Sequence, residues 1–148
     1  MHKPIIGLAL ALSFGFAGSA FADNHMSRDA YKAEKNKIEE QAKADKKACD
    51  AMKENAKDVC QAEAKAKEKI AKAELDAKNK PGPKADEKVR LMKAEGEYEV
   101  AKEKCEDQKD TAVACKKDAK TAYDKAKADA RQAKASAKPD AKADAKKS

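Results

Sequence analysis

The chain has 148 residues, a formal net charge of +7 and charged side chains at 41% of positions, with only 4% aromatic residues and no tryptophan. Burying a large side chain yields roughly 1.5–3 kcal/mol, whereas ordering one residue costs roughly 1–2 kcal/mol of backbone entropy alone. Such a composition excludes a conventional globular core and leaves helix propensity, alanine-sized packing and covalent staples to hold a fold.

Residues 1–22 read as a secretory signal peptide. Lys3 supplies a basic start, Ile5 to Ala17 an apolar stretch, and Ala20-Phe21-Ala22 an A-x-A cleavage motif. The apolar run is short for a membrane span, so cleavage after Ala22 is expected rather than a permanent anchor. In a Gram-negative cell the product, starting at Asp23, reaches the periplasm, where disulfides persist. All three phenylalanines leave with the leader. The remaining 126 residues hold 30 lysines, 29 alanines and only 14 large apolar or tyrosine side chains, and carry +6. Cations and anions interleave, as on a solvated helical face. A basic balance also admits an anionic envelope polymer or a membrane surface as partner; nucleic acid is not expected.

Residues 23–79 form the first expected helical repeat. Ser27 is a suitable N-cap, and no Gly or Pro occurs over 27–79. Acid-before-base pairs recur at i,i+4: Glu39/Lys43, Glu63/Lys67, Glu68/Lys72 and Glu74/Lys78. A heptad series runs through Tyr31, Ile38, Asp45, Met52, Val59, Ala66 and Ala73, with Cys49, Ala56, Ile70 and Ala77 on the same side. Residues 80–84, with Pro81-Gly82-Pro83, must break the helix.

Residues 85–135 read as the second helical repeat, with Asp86 placed to cap it. Its series is Leu91, Tyr98, Cys105, Ala112, Ala119, Ala126 and Ala133, with Ala94, Ala101, Cys115 and Ala122 beside it. This is a narrow coiled-coil seam built increasingly from alanine. Gly96 inside it costs about 1 kcal/mol relative to alanine. Residues 136–148 contain Pro139 and no large apolar side chain, which reads as a disordered basic tail. The two halves resemble a diverged duplication: Ala44-Asp45-Lys46-Lys47-Ala48-Cys49 parallels Val100-Ala101-Lys102-Glu103-Lys104-Cys105.

The four cysteines, Cys49, Cys60, Cys105 and Cys115, are placed symmetrically about residue 82. Within one continuous helix Cys49 and Cys60 share a face but stand about 16 Å apart, beyond disulfide reach. Two arrangements survive. Two long antiparallel helices would be joined by Cys49–Cys115 and Cys60–Cys105. Alternatively, turns near Asn55 and near Asp110-Thr111 would close two short hairpins, movable about Pro81-Gly82-Pro83, by Cys49–Cys60 and Cys105–Cys115. Asn55-Ala56-Lys57-Asp58 resembles a helix start, and Thr111 suits a cap. The long hairpin is the favoured reading, because neither intercysteine segment contains Gly or Pro and both heptad series run through in phase. Against it, Cys105 and Cys115 lie about 80° apart around a helix.

The cysteine spacings are too wide for a structural zinc site, and no C-x-x-C redox motif occurs. His25 is the one histidine after the leader. No Ser/His/Asp grouping, phosphate loop or convergent carboxylate pair is present. Tyr31, Tyr98 and Tyr123 fit packing along the seams better than ligand stacking. Catalytic, cofactor and metal roles are therefore not expected.

The leader, Cys49-Asp50-Ala51-Met52, Asn55-Ala56-Lys57-Asp58-Val59-Cys60, Ala62 to Lys69, Ala71-Lys72-Ala73-Glu74-Leu75 and the proline break together carry a resemblance over roughly residues 30–130. The chain resembles small exported Ala/Lys-rich, four-cysteine helical proteins of proteobacteria, mostly labelled hypothetical or TolA-like. In that group glycine often precedes the asparagine and favours a local turn; here the residue is Glu54. The TolA likeness is one of spacer composition, without counterparts of TolA's membrane anchor or globular C-terminal domain, and the group implies no known activity.

The expected fold is all-α: an extended antiparallel helical hairpin, two long helices with possible breaks near 54 and 110, stapled by two disulfides. The expected function is a non-enzymatic periplasmic structural or interaction protein of the cell envelope, acting on an unknown envelope partner or by self-association through the seam. The alternatives are a cationic module for anionic envelope polymers or lipid, and a stress-linked, thiol-responsive holdase.

Overall fold

A computed structural model describes residues 26–137, so the expected leader, His25 and all of the tail after Ala137 lie outside the described residues. The described chain is all-helical. Four helices follow one another: α1 (Arg28–Cys49), α2 (Glu54–Asn79), α3 (Pro83–Glu106) and α4 (Ala112–Ser136), with a 3-10 turn at Lys109–Thr111 before α4.

Local chemistry accounts for the helix ends. The Ser27 side chain accepts the Ala30 N–H at 3.1 Å, and Asp29 in the first turn and Lys46 and Lys47 in the last complement the α1 dipole. The α2–α3 turn places Gly82 at φ +147°, a conformation suited to glycine, and Pro83 follows at the first turn, where a missing N–H costs nothing. Gly82 therefore occupies the cap position expected for Asp86, which lies in the first turn instead.

Both long helices are broken, near 54 and near 110 where the sequence allows a break, so the unbroken pair gives way to four helices. Residues 50–53 are non-helical and Glu54 enters α2 at φ +51°, in the left-handed region. Lys109 turns the chain at φ +22°. Neither place has a Gly or Pro to announce it. The Met52 position of the heptad series consequently falls in a bend and is 45% exposed.

Only consecutive helices touch among the described residues: α1 on α2, α2 on α3, α3 on α4. Each pair is antiparallel. Glu39–Lys72 (3.3 Å) and Lys46–Glu68 (2.6 Å) mark the first seam. Asp76–Lys88 (2.6 Å), Lys69–Glu95 (2.6 Å) and Glu63–Lys104 (3.2 Å) mark the second. Glu87–Lys134 and Glu106–Lys116 mark the third. The α2 helix meets its neighbours on roughly opposite sides. Ala66 faces Gly96 of α3, while Ala71 and Glu68 face α1, about 140° and 200° further around the helix. The buried positions are correspondingly small: Ala42, Ala62, Ala64, Ala66, Ala73, Ala94, Gly96 and Ala130, with Leu75 the one large aliphatic side chain among them.

The heptad series therefore serves more than one seam. Tyr31, Ile38 and Asp45 sit on the α2 side of α1, but after the bend Val59, Ala66 and Ala73 sit on the α3 side of α2. Leu91, Tyr98 and Cys105 turn toward α4, and Ala112, Ala119, Ala126 and Ala133 toward α3. The stripe by which α3 meets α2, through Val89, Gly96 and Val100, lies about half a turn away from that series.

Candidate functional site

The cysteines form two local staples. Cys49 bonds Cys60 with Cα atoms 5.6 Å apart, and Cys105 bonds Cys115 with Cα atoms 5.7 Å apart. The favoured Cys49–Cys115 and Cys60–Cys105 pairing is thereby corrected. Folding back at Pro81-Gly82-Pro83 does bring Cys60 level with Cys105, as the Glu63–Lys104 ion pair shows. Direction around the helix decides the bonding. Cys60 lies about 120° around α2 from Ala66, and Cys105 about 180° around α3 from Gly96, so each points toward its outer helix rather than across the central seam. Cys49 and Cys105 are fully buried. Both staples stand at the end of the row opposite the Pro81-Gly82-Pro83 turn.

At the proline end, one carboxylate joins three helices. The Tyr31 hydroxyl on α1 donates to Asp76 Oδ1 on α2 at 2.6 Å, and Lys88 Nζ on α3 donates to Oδ2 at 2.6 Å. These two donors, Lys88 foremost, hold the Asp76 carboxyl below its ordinary range. The bond to Asp76 raises Tyr31. Midway along α1–α2, Glu68 accepts from Lys46 at 2.6 Å and from Lys72 at 2.8 Å, and both lower its pKa. Lys72 also pairs with Glu39.

On the third seam Tyr98 and Tyr123 stack, with ring centroids 4.9 Å apart and planes within 8° of parallel. Lys102 lies over Tyr98 and Lys127 over Tyr123, at 5.1 and 4.3 Å from the centroids. This cation–ring–ring–cation stack ties α3 to α4. Tyr31, Tyr98 and Tyr123 all serve helix pairing.

Among the described residues, no three His, Cys, Asp or Glu side chains converge as a metal site would need, and no helix is long and apolar enough to cross a membrane. The chemistry on offer is cohesive: staples, seam ion pairs and a ring stack. In the sequence alone Asp76 has no part. Glu68 is there the i,i+4 partner of Lys72, which the structure forms at 2.8 Å, without the bond to Lys46, and Gly96 is a helix-weakening residue without its close approach to Ala66. The Val89-Gly96-Val100 stripe at helical spacing was the signal that could have located the second seam. The chain matches no family model, no curated protein and no solved structure.

Proposed function

We propose that this chain is a non-enzymatic structural or interaction protein of the cell envelope, exported to the periplasm. Its two disulfide-stapled hairpins form an open helical row that presents surface rather than enclosing a core. The observation that carries this reading is that, among the described residues, helices touch only their neighbours in sequence, with alanine, glycine and cystine filling the seams. Such a row buries little and exposes long helical faces, which suits a spacer or repeat-like binding module. The leader pattern and the two disulfides, consistent with an oxidising compartment, support the location. The resemblance to exported Ala/Lys-rich, TolA-like proteins points the same way. The extensive α2–α3 contact argues for one stapled unit over two hairpins swinging about Pro81-Gly82-Pro83.

Small-angle scattering of the oxidised protein, with N-terminal sequencing of material from an osmotic-shock fraction, tests both halves of the reading. Expected are a flattened, anisotropic particle and an N-terminus at Asp23. An isotropic particle near the ~14 Å radius of gyration of a compact domain this size, or an intact leader in the cytoplasm, would overturn it.

A further inference from the structure

Beside the Cys49–Cys60 staple, a groove of about 370 Å³ lies between α1 and α2, lined by Lys43, Lys46, Lys47, Asp50, Gln61 and Lys65. Its two acidic neighbours are already engaged. Asp50 pairs with Lys57 at 3.0 Å, and Glu68 is shared by Lys46 and Lys72. Lys43, Lys47 and Lys65 have no carboxylate within 4.0 Å among the described residues. Single lysines elsewhere, Lys67 and Lys78 among them, also lack an acid partner among the described residues, but here three unneutralised lysines from two helices line one groove beside an amide. Lys43 and Lys47 are moreover an i,i+4 like-charge pair, an arrangement that costs an isolated helix a few tenths of a kcal/mol. The disulfide holds the two helix ends together, so the lysines are brought to one place before any ligand arrives.

We propose that this groove binds ligands carrying two or more phosphate groups. A single carboxylate brings one charge to one ammonium. A phosphate brings about −1.5 to −2 with three acceptor oxygens, and two of them match cations spread over two helices. The Gln61 amide adds a neutral donor. The site goes beyond the scaffold reading and does not depend on it; its failure leaves the scattering and N-terminal results untouched.

The test is calorimetric titration of the oxidised full chain with tripolyphosphate at low salt, and sedimentation with phosphatidylcholine vesicles with and without phosphatidic acid. Two charge-matched variants are compared: Lys43→Gln/Lys47→Gln/Lys65→Gln in the groove, and Lys78→Gln/Lys84→Gln/Lys125→Gln outside it, with helicity checked in each. The groove variant is expected to bind on the order of 100-fold more weakly, roughly fivefold per lysine, and the outer variant within about threefold of the parent. Binding to tripolyphosphate alone assigns a soluble phosphate source. Binding to phosphatidic acid vesicles with the same variant dependence assigns a lipid surface, on which neighbouring headgroups together supply the two phosphates. Equal losses in both variants would reduce the effect to net charge and overturn the site, as would no binding to either probe.

Discussion

Gly96 on α3 lies so close to α2 that a β-carbon placed on it would stand 2.8 Å from the Ala66 β-carbon and 3.6 Å from Ile70 Cδ1. The nearer neighbour is fixed to the α2 backbone and cannot swing aside. Replacing a helix-interior glycine by alanine normally gains about 1 kcal/mol. Overpacking costs about 1–3 kcal/mol. Gly96→Ala is therefore expected to lower stability by about 1 kcal/mol in urea unfolding, with Ala66→Gly in the same chain restoring part of the loss. A stabilised Gly96→Ala would show that the central seam spreads freely.

Digestion under non-reducing conditions is expected to release peptides linked Cys49–Cys60 and Cys105–Cys115. A Cys49–Cys115 link would refute the local hairpins. Replacing Cys49 and Cys60 together by serine removes a staple over an 11-residue separation, with an expected loss of about 3 kcal/mol in chain-entropy terms. Amide exchange should then open first at the ends of α1 and α2 nearest the bend.

Glu54 adopts φ +51°, which costs a residue with a β-carbon roughly 1–2 kcal/mol. Glu54→Gly should stabilise the chain by about 1 kcal/mol despite the flexibility of glycine, because position 54 begins the helix rather than lying inside it. Ala in its place should give no such gain. A thermal midpoint lowered by Glu54→Gly would show that the left-handed turn is not what limits this bend.

Glu68, held by Lys46 and Lys72, and Asp76, held by Lys88 and Tyr31, both titrate lower in the folded protein than in the unfolded chain. Unfolded Glu and Asp titrate near ~4.3 and ~3.9. The stability they contribute is therefore fully present above about pH 5 and is lost as pH falls below about 4, through the folded values. Their side chains are 21% and 37% exposed, so solvent screening keeps each contribution under about 1 kcal/mol. Urea midpoints should be flat from about pH 7 to 5 and fall below about 4, with a shallower fall in Asp76→Asn. An unchanged fall in that variant would remove Asp76 from the account.

The Tyr98–Tyr123 stack predicts a further effect. Tyr123→Ala removes the ring contact and the Lys127 seat together, and should cost about 1–2 kcal/mol, whereas Tyr123→Phe keeps the ring and should stay within about 0.5 kcal/mol. Equal losses in the two variants would locate the effect in the hydroxyl rather than the stack.

Helicity, the break at Pro81-Gly82-Pro83 and the small-residue seams were legible in the amino acids, because propensity, proline chemistry and side-chain volume act locally. The level meeting of Cys60 and Cys105 was legible too, since it needs only a fold-back point and a constant rise per residue. The bends at residues 50–53 and at Lys109 were legible only as the less favoured alternative: Asn55-Ala56-Lys57-Asp58 reads as a helix start and Thr111 as a cap, but no Gly or Pro sits there and both heptad series run through in phase, which favours unbroken helices. Glu54 and Lys109 have positive φ, which their own chemistry does not favour, and each lies between the two cysteines of a closed staple. The disulfide pairing depended on those bends and on which way each thiol points around its helix. Asp76 likewise has an unremarkable sequence context, and its junction exists only once α1, α2 and α3 lie side by side. Local chemistry thus determined the helices and the Ser27 cap of α1, while partner choice across the seams was a property of the assembled row, where rotation about each helix axis decides what meets what.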